Sequence, residues 1–138
     1  MKEYNLNFNG YWIESRISGL PKTSGVYIVY RCTYEDNGVC LKEILYIGQA
    51  TDLHTRINTH DKKEVFNKEC KGDEVLCYSF AEVSQEDLDI VEHALIFAQK
   101  PKLNENNKDK FEHLMPVAFI LEGRCKLMKF QNFTIKEK

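Results

Sequence analysis

Apolar residues fall along this chain with two spacings, a period of two that marks strands and a three-to-four spacing that marks helices. In "LNFNGYWI" they alternate on either side of Asn9-Gly10. That dipeptide supplies the positive φ angles of a tight type I′ turn, so the stretch is expected to be a hairpin. Tyr4, Leu6, Phe8, Tyr11 and Ile13 would then share one apolar face. A longer hairpin is expected in "GVYIVYRCTYEDNGVCLKEILYIG", whose β-prone arms flank Asn37-Gly38. If Asn37-Gly38 is a two-residue loop, Asp36 faces Val39 and opposed residue numbers sum to 75 along both arms. Val29 then lies opposite Tyr46 and Tyr27 opposite Gly48, which makes Tyr27 and Tyr46 diagonal neighbours on one face, with Gly48 leaving room beside Tyr27. Val26, Ile28, Tyr30, Leu45 and Ile47 form the other, core-facing side, and a bulge in either arm would shift this register.

Past Gly48 the period changes. A helix is expected from about Thr51, capped by a hydroxyl or carboxylate, with Leu53, Ile57 and His60 at helical spacing and Arg56 on the flank beside His60. A polar connection, helical or irregular, leads to a strand near residues 74–82. "SQEDLDIVEHALIFAQKP" is expected to be a second helix, capped by Ser84 with Asp87 three residues later and ended by Pro101. "PVAFILEGRCKLMKF" has the pattern of a further hairpin turning at residues 122–124. Repeats, low-complexity tracts and linkers are absent, so the 138 residues are expected to fold as a single domain.

Composition narrows the function classes. The sequence contains no apolar run suited to a membrane span and its start lacks the apolar middle of a signal peptide, so the expected location is the cytoplasm, with no membrane partner. Five cysteines without a C-x-x-C pair argue against a disulfide framework and a zinc site. The net charge is −2, but residues 1–98 carry 10 Lys and Arg against 16 Asp and Glu, whereas residues 99–138 carry 9 against 5. Such asymmetry marks either a surface that meets polyanions or a solvated lysine-rich face.

Candidate chemistry rests on few residues. Glu92 falls within the Leu88, Val91, Leu95 and Ile96 stripe of the second helix. A carboxylate there is costly unless paired, protonated or bound to a metal; alternatively the stripe is wider and Glu92 sits at its rim with a lysine. Arg56 and His60 on one helix face suit a phosphate or carboxylate, or equally a solvated helix edge. Tyr27 and Tyr46 taken alone read as packing aromatics.

The whole string weighs more than its parts. "GVY" at residues 25–27, "YIG" at 46–48, an arginine ten residues after Tyr46, a histidine four further on, a helical glutamate and then "PKLN" resemble the GIY-YIG nuclease family over about residues 25–104. The resemblance implies an α/β (α+β) domain with a small, mainly antiparallel central sheet flanked by helices, here with hairpins added at both termini. It implies a metal-dependent DNA endonuclease that cuts phosphodiester bonds by direct attack of water, leaving 5′-phosphate and 3′-hydroxyl ends. By position, Tyr27 resembles the tyrosine that takes the proton from the attacking water, and Tyr46 the one that orients that water. Arg56 matches the phosphate-binding arginine, and His60 the histidine or tyrosine of the proton and phosphate network. Glu92 matches the metal-binding carboxylate, and Asn104 the asparagine that holds the site together.

These residue types suit the chemistry. A phosphodiester repels hydroxide, so cleavage needs positive charge on the phosphate and a base for water. Mg²⁺ or Mn²⁺ would accept one carboxylate and several waters, and a tyrosine becomes a competent base only when nearby positive charge lowers its pKa. Two departures stand out: Gln49 replaces a lysine common after "YIG", and the segment between the tripeptides is long. Two rival readings keep the same fold: a non-catalytic nucleic-acid-binding module, and a protein-contact subunit using Trp12, Phe130 and Phe133. A single site cuts one strand, so symmetric duplex cleavage would call for a homodimer or sequential nicks.

Overall fold

The computed structural model describes residues 1–36, 38–113 and 115–136. A six-stranded sheet in the order β3-β2-β4-β1-β5-β6 forms its centre, built from β1 (Lys2–Ile13), β2 (Gly25–Glu35), β3 (Gly38–Ala50), β4 (Val75–Glu82), β5 (Val117–Gly123) and β6 (Asn132–Ile135). Every pairing is antiparallel except that of β1 with β5. The helices are α1 (Leu53–Asn58), α2 (Lys63–Asn67) and α3 (Leu88–Gln99), with a 3₁₀ turn at Glu14–Gly19 and another leading into α3. The expected α/β architecture is therefore present.

Both faces of the sheet are buried. One carries α3, whose apolar side packs with Val26, Ile28, Tyr30 and Ile47 and with Val117, Phe119 and Leu121 of β5. The other carries the first 3₁₀ turn, α1 and α2 over Tyr27, Val29, Leu45, Tyr78 and Phe80. Sheets covered on both sides read as near-continuous apolar runs, as β2 and β4 do.

The β2–β3 register holds where the site lies and differs near the turn. Tyr27 faces Gly48 and Val29 faces Tyr46, as expected. Toward the turn, Tyr34 faces Val39 and Glu35 faces Gly38, so the expected pairing of Asp36 with Val39 is not formed. Asn37 itself lies outside the described residues, and with it half of the expected Asn37-Gly38 loop. Two register shifts, between Val29 and Tyr30 and between Arg31 and Cys32, each place one extra residue on β3 and together restore the expected register at its far end. They also reverse Leu45, which packs with Tyr27 and Val29 rather than on the side of Val26 and Ile28.

The terminal elements need similar correction. Asn9-Gly10 is not a hairpin turn, because β1 continues through it as one irregular strand, pairing parallel with β5 through residues 2–8 and antiparallel with β4 from Asn9 onward. Its neighbours explain the choice: an added Cβ on Gly10 would lie 2.9 Å from Ser79 Cβ, so the glycine is needed for close packing on β4. The apolar face of Tyr4, Leu6, Phe8, Tyr11 and Ile13 does join one cluster. At the C-terminus β5 and β6 form a hairpin, with the return strand at 132–135, beyond a connection that begins after Gly123. Trp12 and Phe133 pack within the chain, and Phe130 is exposed.

Candidate active site

The start of β2, the end of β3 and α1 meet on the face that carries α1 and α2. Asp52 caps α1 by accepting from Thr55 N at 3.1 Å, which fixes where the helix begins and hence where Arg56 projects. α1 stops at Asn58, so His60 follows the helix instead of sharing a helical face with Arg56. It turns inward nonetheless, packing its ring on Phe66 at 4.9 Å and edge-on against both tyrosines, 5.7 Å from Tyr27 and 5.8 Å from Tyr46. The tyrosine rings are 6.4 Å apart.

Tyr27 is 1% exposed, and its hydroxyl lies 2.7 Å from His60 Nε2. The roles in that bond follow from the other ring nitrogen. Lys62 N donates to His60 Nδ1 at 3.1 Å, so Nδ1 carries no proton and Nε2–H of the neutral ring donates to the Tyr27 oxygen. Burial and then the Arg56 charge push the His60 pKa down to about 4, consistent with a neutral ring. Gly48 is required by the same packing: an added Cβ would overlap the Tyr27 hydroxyl and Cζ and come within 2.9 Å of Cε1. The space at Gly48 is filled by the Tyr27 phenol.

Burial raises the pKa of Tyr27, and the opposing effect of Arg56 does not overcome it. Tyr46 is raised as well, by burial and then by the Glu92 charge. Both are neutral phenols near pH 7. Arg56 bonds Asp61 at 2.9 Å on the exposed side of this group.

Glu92 approaches from α3, around the β3 edge. Its partner is Gln49 rather than a lysine: Gln49 Nε2 donates to Glu92 Oε1 at 3.1 Å and to Asp89 Oδ1 at 2.7 Å. Burial raises the Glu92 pKa, the Gln49 bond works against that rise, and Asp89 adds to it. Among the described residues the second carboxylate oxygen takes no protein hydrogen bond, and no cluster of three or more His, Cys, Asp or Glu is arranged to hold a metal. A donor set of one carboxylate fits a hard ion that keeps most of its waters and does not fit zinc.

Asn104 lies behind the tyrosines. Its Oδ1 accepts from Ile47 N and its Nδ2 donates to Ile47 O, both at 2.9 Å, while Leu103 N donates to Leu45 O at 2.8 Å. β3 is an edge strand, and this amide completes its ladder beside Tyr46. Tyr27, Tyr46, His60 and Arg56 are thus brought together, Glu92 adjoins them, and Asn104 supports the strand from outside the reacting group. The sequence pattern does not single out Gln49 as the partner of Glu92, although the register that sets it opposite Val26 turns it toward the α3 side. Phe66, the floor under His60 and Tyr46, had no sequence signal beyond being apolar in a polar connection.

The family model described as the GIY-YIG catalytic domain matches residues 24–107. No curated protein and no solved structure matches the chain.

Proposed function

This chain belongs to the GIY-YIG nuclease family, and from that premise we propose that it is a metal-dependent endonuclease hydrolysing phosphodiester bonds in DNA. The observation that carries the reading is the buried contact of Tyr27 with neutral His60, beside Tyr46 and Arg56 and within reach of the Glu92 charge. Packing alone does not call for an arginine and a desolvated glutamate around two tyrosines.

Each residue has a task in that reading. Tyr27 Oη, held by His60 Nε2–H, would act as the tyrosinate: its own proton is first lost to solvent, and the anion, favoured by the hydrogen bond donated to the oxygen, then receives a proton from the attacking water. Tyr46, half-buried beside it, orients the same water. Arg56 exchanges its exposed Asp61 partner for the phosphate, where its planar fork stabilises the charge that develops on the oxygens. Glu92, with Gln49 holding one oxygen, would hold Mg²⁺ or Mn²⁺. When bound, such an ion supplies the positive charge that Arg56 alone lacks to bring the buried tyrosine within working range. Asn104 keeps the Tyr46 strand in register. The fold is expected to act as one domain over residues 1–138, with its catalytic core at about 25–104.

Against the reading of a protein-contact subunit, two of its three proposed anchors, Trp12 and Phe133, are engaged within the chain. The test is cleavage of plasmid in ¹⁸O-labelled water with Mg²⁺, Mn²⁺ or chelator. Label in the new 5′-phosphate ends, with cutting abolished by chelator, is expected; unlabelled ends or chelator-insensitive cutting would contradict direct, metal-dependent attack by water.

A further inference from the structure

At the opposite end of the β2–β3 hairpin from the tyrosines is a cleft of about 410 Å³, lined among others by Tyr11, Tyr34, Arg16, Arg124 and Lys126. Three cations line it and no acidic residue does. Among the described residues none of the three forms an ion pair, whereas Arg31 bonds Glu43 and Glu74, Arg56 bonds Asp61, and Lys63 bonds Glu14. Unmatched like charges gathered in one concavity repel one another, so the arrangement favours an anionic occupant.

The cleft is built rather than frayed. Lys126 N donates to Tyr11 Oη at 3.0 Å, and the hydroxyl of buried Tyr30 donates to Lys126 O at 2.8 Å. Arg124 N donates to Phe8 O at 2.9 Å. Gly123, at φ 84°, turns the chain where any side chain would collide with the Phe8 carbonyl. Four main-chain constraints therefore fix the segment that presents Arg124 and Lys126, while their side chains stay exposed. Arg16 comes from the 3₁₀ turn on the other bank.

We propose that this cleft is a second binding site for the phosphodiester backbone of DNA, remote from the cleavage site; this rests on the endonuclease reading above. The charge distribution favours that occupant. Near the tyrosines Arg56 is matched by Asp61, and Asp89 and Glu92 add two carboxylates, leaving Lys62 over the Tyr46 ring as the extra cation. A polyanion needs a further basic surface to be held on a chain of net charge −2. Tyr27 and Tyr34 are seven residues apart on one strand, about 23 Å at roughly 3.3 Å per residue. The long hairpin separates the two sites: Tyr27 faces the cluster under α1 and α2, whereas Tyr11 of the cleft packs in the cluster under α3.

The test is fluorescence anisotropy of a labelled 30-base-pair duplex in chelator, over a salt series, for the natural protein and for the triple variant Arg16→Gln, Arg124→Gln, Lys126→Gln. Loss of up to three phosphate contacts is expected to flatten the log–log salt slope by about 2 to 3 and weaken binding about tenfold or more. The double variant Arg16→Lys, Arg124→Lys keeps the charges and is expected to retain most of the slope. Inorganic phosphate at matched ionic strength separates a backbone site from a free-phosphate site: saturable phosphate binding that is lost in the triple variant while DNA affinity and slope stay unchanged would overturn the assignment. DNA binding with an unchanged slope in a folded triple variant would overturn the cleft alone. Absence of any DNA binding by the natural protein would contradict the endonuclease reading and take the cleft with it.

Discussion

Replacing His60 by glutamine should change the acid side of the stability curve in a way that follows from the ring's burial. The His60 side chain is fully enclosed, and its pKa falls from 6.5 to about 4 because burial and Arg56 disfavour the cation. The unfolded chain therefore binds a proton below pH 6.5 that the folded chain refuses until about pH 4. Stability from this residue is complete above pH 6.5 and is lost as pH falls through the window between the two values. At 1.36 kcal/mol per pKa unit the full loss is about 3 kcal/mol, of which about 2 kcal/mol develops between pH 7 and pH 5. Glutamine has no such titration, so the difference in unfolding free energy between natural protein and His60→Gln should shrink by about 2 kcal/mol over that range. Urea unfolding at each pH measures it. Contributions from the other histidines and the carboxylates are common to both proteins and cancel. A difference constant to within about 0.5 kcal/mol from pH 7 to pH 5 would refute the assignment of a buried neutral ring donating to Tyr27.

Gly48→Ala should cost about 1–3 kcal/mol by overpacking against Tyr27, and should lower cleavage far more than that loss explains, because the phenol must leave His60; a single-turnover assay beside a melting curve separates the two. Asn104→Ala removes both bonds to Ile47 at the sheet edge and should destabilise by about 2–3 kcal/mol in denaturant unfolding. Asp52→Ala deletes the α1 cap at a cost of about 1 kcal/mol, with its effect on cleavage expressed through the position of Arg56.

The site was more legible in the sequence than the sheet around it. Tyr27 and Tyr46 fall on one face because β alternation is strict over the five residue pairs from Gly25 to Val29, where no bulge intervenes. Beyond Val29 the same reasoning fails, because the register shifts send Leu45 to one core and Ile47 to the other, a tertiary demand with no local signature. Asn9-Gly10 carries a strong turn signal, but Gly10 is needed for close contact with Ser79, and one residue type serves both purposes. Helical spacing puts His60 on α1, whereas it lies beyond the helix and still reaches Tyr27, since the ring follows the apolar floor that Phe66 provides rather than the helix axis. The partner of Glu92 was unreadable for a different reason: an amide and a lysine suit a carboxylate equally in sequence, and only the approach of α3 to β3 selects Gln49.

The most direct test of the central claim is cleavage of plasmid, linear, branched and single-stranded DNA in Mg²⁺ or Mn²⁺ by the natural protein, Tyr27→Phe and Glu92→Ala. Metal-dependent cutting by the natural protein, abolished in both variants while their folds and DNA binding persist, is the predicted result. Cutting by either variant at the natural rate would contradict the roles assigned to Tyr27 and Glu92, and DNA bound but left intact by all three under every condition would contradict the endonuclease itself.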